Sequence, residues 1–213
     1  MQIILAAIEQ PLADAWQRIC GELPHVTVYH GSIFDCACDA IVSPANSFGF
    51  MDGGIDLLYS RFFGWHVQER LQTIIQTHHH GELLVGDAEI VPTDHHKIPY
   101  VIAAPTMRVP MILHNSVHPY LACRAALRLI TDGIFTTGPH SGARIADVVQ
   151  TVAFPGLGTG VGRVAPTICA HQMRTAINDV LFNPPAFPKT WAEAQARHQH
   201  LYTDRIRDLQ RNP

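Results

Sequence analysis

Asp39-Ala40-Ile41-Val42-Ser43-Pro44-Ala45-Asn46 decides the fold. It is answered far along the chain by Thr151-Val152-Ala153-Phe154-Pro155-Gly156-Leu157-Gly158-Thr159-Gly160-Val161-Gly162. In each stretch an apolar, strand-like run stops at a proline and passes into a loop that carries glycine. The first loop continues past Asn46 through Gly49 to Met51-Asp52-Gly53-Gly54-Ile55-Asp56. Glycine lets backbone approach a ligand closely, and helix N-termini that follow such loops favour anions. Two such loops point to one crevice that grips a phosphorylated ligand from both sides.

Outward from these loops, strands and helices alternate. Ile3 to Ile8, Val26 to Tyr29, Ala40 to Ser43, Ala88 to Val91, Tyr100 to Ala103 and Val148 to Phe154 read as strands, short apolar runs closed by turn residues. Leu12 to Leu23 places Leu12, Trp16, Ile19 and Leu23 at helical spacing. Further helices are expected over Ile55 to Phe63, Val67 to Thr77, Leu121 to Phe135 (opened by Pro119), Ala165 to Phe182 and Trp191 to Leu209. The alternation predicts an α/β fold with a largely parallel or mixed sheet. Asn183-Pro184-Pro185-Ala186-Phe187-Pro188 cannot supply a central strand. Residues 1–182 are therefore read as the α/β domain, and 183–213 as a proline-rich connection and a helix packed on it. The N-terminal strand and helix are expected to complete the sheet.

The ordered motifs resemble those of the macrodomain family, the ADP-ribose-binding α/β module. Ser43-Pro44-Ala45-Asn46 with Gly53-Gly54-Ile55-Asp56 is similar to the family's Asn-Ala-Ala-Asn, glycine run and Val-Asp-Gly, and Arg61 and Gly64 follow as they often do in the family. Gly81-Glu82-Leu83-Leu84-Val85-Gly86-Asp87-Ala88, Tyr100-Val101-Ile102, and Ala153-Phe154-Pro155 with Gly158-Thr159-Gly160-Val161 match further family segments in order. The resemblance implies a three-layer α/β/α fold with a mixed central sheet. It also implies a ligand, ADP-ribose or a related nucleotide, and as partner an ADP-ribosylated macromolecule.

Carried over residue by residue, the resemblance makes Asn46 and Asp56 the catalytic pair that orients the distal ribose and a water. Ser32, Ile33, Ala45, Gly53, Gly54, Ile55, Gly156, Gly158, Thr159, Gly160, Val161 and Gly162 become the ligand-binding set. Ser32 replaces the aspartate that recognises adenine in the family, with Asp35 nearby as a substitute. Ser60 stands where some hydrolases of the family carry histidine, and Gly162 where an aromatic is common, which is expected to leave the site more open. Read without the resemblance, Asn46 is also an ordinary turn residue, and Asp56 a carboxylate set against a helix dipole. Asp56 is expected to work without an unusual pKa, and a β-branched residue at Gly160 to clash through φ. The long apolar connection 105–118 is read as either a cover over the crevice or a dimer contact. Arg163 reads as a solvated side chain.

Composition bounds the function. A hydrophobic content of 47% over 213 residues supports one domain with a substantial core. A net charge of −3 gives no support to a general nucleic-acid binder. Five irregularly placed cysteines, with no leader ahead of Met1, read as thiols of a cytoplasmic protein. No run reaches the ~20 apolar residues of a membrane span. Fourteen histidines, some in His78-His79-His80 and His95-His96, show no zinc spacing, so neither metal nor cofactor is expected. The function is thus read as hydrolysis of ADP-ribosyl adducts, or of ADP-ribose esters or phosphates. A non-catalytic module binding ADP-ribose or another nucleotide is the alternative, and a pocket serving assembly is a third.

Overall fold

The computed structural model describes residues 1–207. Its elements are β1 (Gln2–Ala7), α1 (Gln10–Cys20), β2 (Val26–His30), β3 (Ala40–Ser43), α2 (Gly54–Phe63), α3 (His66–His78), β4 (Glu89–Pro92), β5 (Tyr100–Ala103), α4 (His118–Asp132), the single turn α5 (Ile145–Val148), β6 (Thr151–Phe154), α6 (Pro166–Ile177) and α7 (Trp191–Gln199). One six-stranded sheet runs in the order β2-β1-β6-β3-β5-β4. All neighbours are parallel except β4, which runs antiparallel to β5 at the edge.

The period of two along each strand builds both faces. Ile3, Leu5, Ala40, Val42, Ile102, Val152 and Phe154 join one core with side chains of α1, α4 and α6, including the fully buried Trp16. Their alternates Ala6, Ile41, Val101 and Ala153 join a second core with Tyr59, Phe63, Leu71 and Ile75 of α2 and α3. Strands buried on both faces read as nearly continuous apolar runs, as parallel strands should. The result is the expected three-layer α/β/α fold with a mixed sheet. β1 and β2 complete one side of it, as the N-terminal segment was expected to do.

Several element boundaries differ from the sequence expectation, three of them with a clear local cause. The strand expected from Val148 begins only at Thr151, because the Val149 N–H closes the α5 turn onto the Ile145 carbonyl. The Asp39 carboxylate then takes the N–H groups of Gln150 and Thr151, each at 2.8 Å, and starts β6. The helix expected over 165–182 is α-helical to Ile177 and ends in a π turn, Asn178–Phe182. The last helix stops at Gln199 rather than Leu209, which lies outside the described residues. Leu201, Tyr202 and Thr203 turn back on the helix end, and the Gln199 side chain accepts the Arg207 N–H. All five cysteines are buried free thiols. No described helix is long and apolar enough to cross a membrane.

Candidate functional site

In open α/β sheets ligands collect at the carboxyl ends of the strands. Here β3 and β6 are neighbours, with Ala40 opposite Val152 and Ile41 opposite Ala153. Their following loops therefore emerge side by side. Between them lies a cleft of about 370 Å³, within the range of small-molecule sites. All of Ser32, Ile33, Ala45, Asn46, Gly53, Gly54, Ile55, Asp56, Gly156, Gly158, Thr159, Gly160, Val161 and Gly162 line it. Asp35 does not, so it offers no substitute for the aspartate missing at Ser32.

Backbone N–H groups supply the cleft's polarity. Gly53 caps α2 without any side-chain hydrogen bond, and Glu9 does the same for α1, whose N-terminal residues also reach the cleft. The first N–H groups of α2 have no intrahelical partner and attract anions, whereas in α1 Pro11 has no N–H and Leu12 donates to the Glu9 carbonyl. Among the described residues, the N–H groups from Gly158 to Gly162 likewise donate to no protein acceptor. Among the described residues no lysine or arginine lines the cleft; its charged side chains are Glu9, Asp52 and Asp56.

Geometry within the second loop separates glycines that the sequence presents as equivalent. Gly158 sits at φ +70°, in the left-handed region. A Cβ on Gly162 would lie 2.5 Å from the Gly158 carbonyl oxygen and 2.8 Å from Leu113 Cδ1. Gly160, by contrast, is outside the left-handed region, and a Cβ there meets nothing within 4 Å. The expected φ clash at Gly160 is therefore corrected. The expected openness at Gly162 is corrected too, since Leu113 packs against it and its N–H donates to the Gly162 carbonyl at 2.8 Å. Leu113 belongs to the 105–118 connection, which reaches the cleft through Thr106, Met107 and Pro110.

Asp56 occupies the first turn of α2 and is only 7% exposed. Ser43 Oγ donates to its Oδ1 at 2.6 Å. Burial pushes its carboxyl up to about 7, and the Ser43 hydrogen bond pulls the other way and loses. The expectation of an unperturbed carboxylate is overturned, because desolvation outweighs the hydroxyl. Ser60 plays no part in the cleft; its buried hydroxyl donates to the Met51 carbonyl.

Asn46 is engaged with its own turn. Its Oδ1 accepts the N–H groups of Phe48 and Phe50, and its Nδ2 donates to the Phe50 carbonyl at 2.8 Å. The turn role weighed for this residue is thus present in the structure. Ser32 is also occupied, accepting the Phe34 N–H and capping the short turn Ile33–Asp35. Arg163 is exposed, at φ +54°.

The motifs did not single out Ala6, Ala7, Ile8, Glu9 and Leu12, nor Phe34, Phe50 and Leu58, which also line the cleft. The first group lies there because β1 pairs with β6, placing its C-terminal end beside the second loop. The only sequence signal was an apolar strand meeting a proline-opened helix.

A model of the family described as Macro domain matches residues 42–173, the span holding both loops. This chain belongs to the macrodomain family. An uncharacterised protein of Aquifex aeolicus is 31% identical to it over 164 residues, 77% of this chain and 86% of that one. Among solved structures, a mutant Oceanobacillus iheyensis macrodomain with ADPR superposes with a TM-score of 0.57 at 16% identity, covering 81% of this macrodomain and 86% of that chain. The macrodomain of Mycobacterium tuberculosis DarG gives 0.55 at 19%, covering 70% and 87%. At these identities the structural likeness is one of fold.

Proposed function

We propose that this macrodomain binds ADP-ribose in the cleft between the β3 and β6 loops and hydrolyses ADP-ribosyl esters there. The observation that carries the reading is the convergence of two sets of unpartnered N–H groups, at the start of α2 and along Gly158 to Gly162, on one cleft. With no lysine or arginine among the described residues on the walls, a diphosphate would be held by these dipoles. That ADPR and ADP accompany two Oceanobacillus iheyensis macrodomain structures of the same fold supports the choice of ligand.

Asp56 carries the proposed chemistry. A carboxyl that titrates near neutrality is half ionised at working pH, where a general base is most effective. In the proposed step a water gives its proton to the ionised Asp56 as the water oxygen attacks the ester. The leaving group departs with the bonding pair, and Asp56 later releases the proton to solvent. Hydrolysis should therefore rise with pH through about 7 and level off above it. A non-catalytic binding module is the second reading, favoured by the engagement of Asn46 in its own turn.

Calorimetry tests the ligand. ADP-ribose is expected to bind at least ~10-fold tighter than AMP, a difference of about 1.4 kcal/mol, since only ADP-ribose fills both loops. Gly160→Val should fold as wild type, because a Cβ there meets nothing within 4 Å, yet lose affinity by crowding the diphosphate. Equal affinity for AMP and ADP-ribose, or unchanged binding by Gly160→Val, would sink the placement.

A further inference from the structure

We infer that Ser43 is a positioning residue for Asp56: it holds Oδ1 and leaves Oδ2 as the oxygen that meets water and carries the proton. This rests on the hydrolytic reading of the cleft. β3 is fully buried, and alternation places Ser43 on the same face as Ile41, toward α2. A hydroxyl there needs a partner, and the Ser43 hydroxyl donates to Asp56 Oδ1 at 2.6 Å. The Ser43 backbone is held in the sheet, in register with Ala103 of β5, its carbonyl accepting the Ala104 N–H at 2.9 Å. A hydroxyl fixed in this way sets the rotation of the carboxyl group. Oδ2 accepts no hydrogen bond among the described residues, and Asp56 faces the cleft.

The surroundings leave this contact as the main lever on Asp56 besides burial. Tyr59 lies one turn further along α2, and its phenol is pushed well up by burial and by the charges of Asp56, Cys38 and Cys36. Cys36 and Cys38, from the turn before β3, are themselves pushed up to about 11 and about 12, chiefly by burial. These three stay neutral wherever Asp56 titrates. Asp52 and Glu9 line the same cleft, and among the described residues no lysine or arginine does.

The test follows the Asp56 carboxyl by carbon NMR through a pH titration of the full chain, alongside kcat/KM for an ADP-ribosyl ester. Ser43→Ala is expected to move the Asp56 midpoint up by about one pH unit, the scale of a hydrogen bond to a charged group. The acidic limb of kcat/KM should move with it, so that activity falls ~10-fold at pH 6 and far less at pH 9. Ser43→Thr, which keeps the hydroxyl, should restore the midpoint. A midpoint that stays put in an active Ser43→Ala protein overturns the assignment to Ser43 alone, as does an equal loss of activity at every pH. If Ser43→Ala moves the Asp56 midpoint but the wild-type protein hydrolyses no ester, the hydrolytic reading falls and the catalytic meaning of the Ser43 contact falls with it, while the contact itself stands.

Discussion

Replacing Asp56 by asparagine is expected to cut ester hydrolysis by ~10²–10⁴-fold while making the protein more stable above neutral pH. Both effects come from one buried carboxyl. In the folded chain it titrates at about 7, and in the unfolded chain near its ordinary 3.8. Between those values the folded state holds a proton that the unfolded state has lost, so stability falls as pH rises through this window. Below it Asp56 costs nothing; above it the full cost of a buried charge is present, on the order of 4 kcal/mol. Asparagine keeps the shape, can still accept the Ser43 hydrogen bond, and never ionises. At pH 8 the variant should therefore melt on the order of 10 °C higher, and at pH 4 at nearly the wild-type temperature. Affinity for free ADP-ribose should change much less than the rate. Full activity in both Asp56→Asn and Asp56→Ala would leave the residue a helix-start carboxylate and nothing more.

The second large effect is expected at Gly162. An alanine there drives its Cβ to 2.5 Å from a backbone oxygen that cannot swing aside, because the Gly158 carbonyl also receives the Val164 N–H at 3.0 Å. Overpacking of this kind typically costs about 1–3 kcal/mol. The loop must shift to relieve it, so ADP-ribose affinity should fall by ~10–100-fold, at 1.4 kcal/mol per decade. Gly158→Ala should act in the same direction through its φ of +70°. Gly160→Ala is the internal control, with open space for its methyl group. If Gly162→Ala binds as well as Gly160→Ala does, the close packing at Gly162 does not shape the site.

Most of the architecture was legible because its signals are local. Pro44 and Pro155 end strands whose apolar runs need no partner to be recognised, and the glycines behind them mark the loops. What stayed hidden depends on residues brought together from a distance. Nothing near Asp56 in sequence announces that Ser43 lies beneath it or that burial dominates its proton affinity. The equivalence of Gly158, Gly160 and Gly162 in sequence breaks only when Leu113 is seated against two of them. The Ala6 to Glu9 contribution likewise required the pairing of β1 with β6. The sequence overextends the C-terminal helix because charged residues continue its composition past the turn at Leu201.

The Asp39 carboxylate, bonded to backbone 112 residues further on, sets when the cleft can exist. It joins the start of β3 to the start of β6, so neither loop has its counterpart until the chain has been made well past Thr151. A contact of this separation is entropically expensive to form early and is a slow kind to wait for during folding. Until Thr151 has been made, the β3 loop stands without the loop that faces it across the cleft. Once β6 locks in, ligand binds only the finished form and holds it there by mass action.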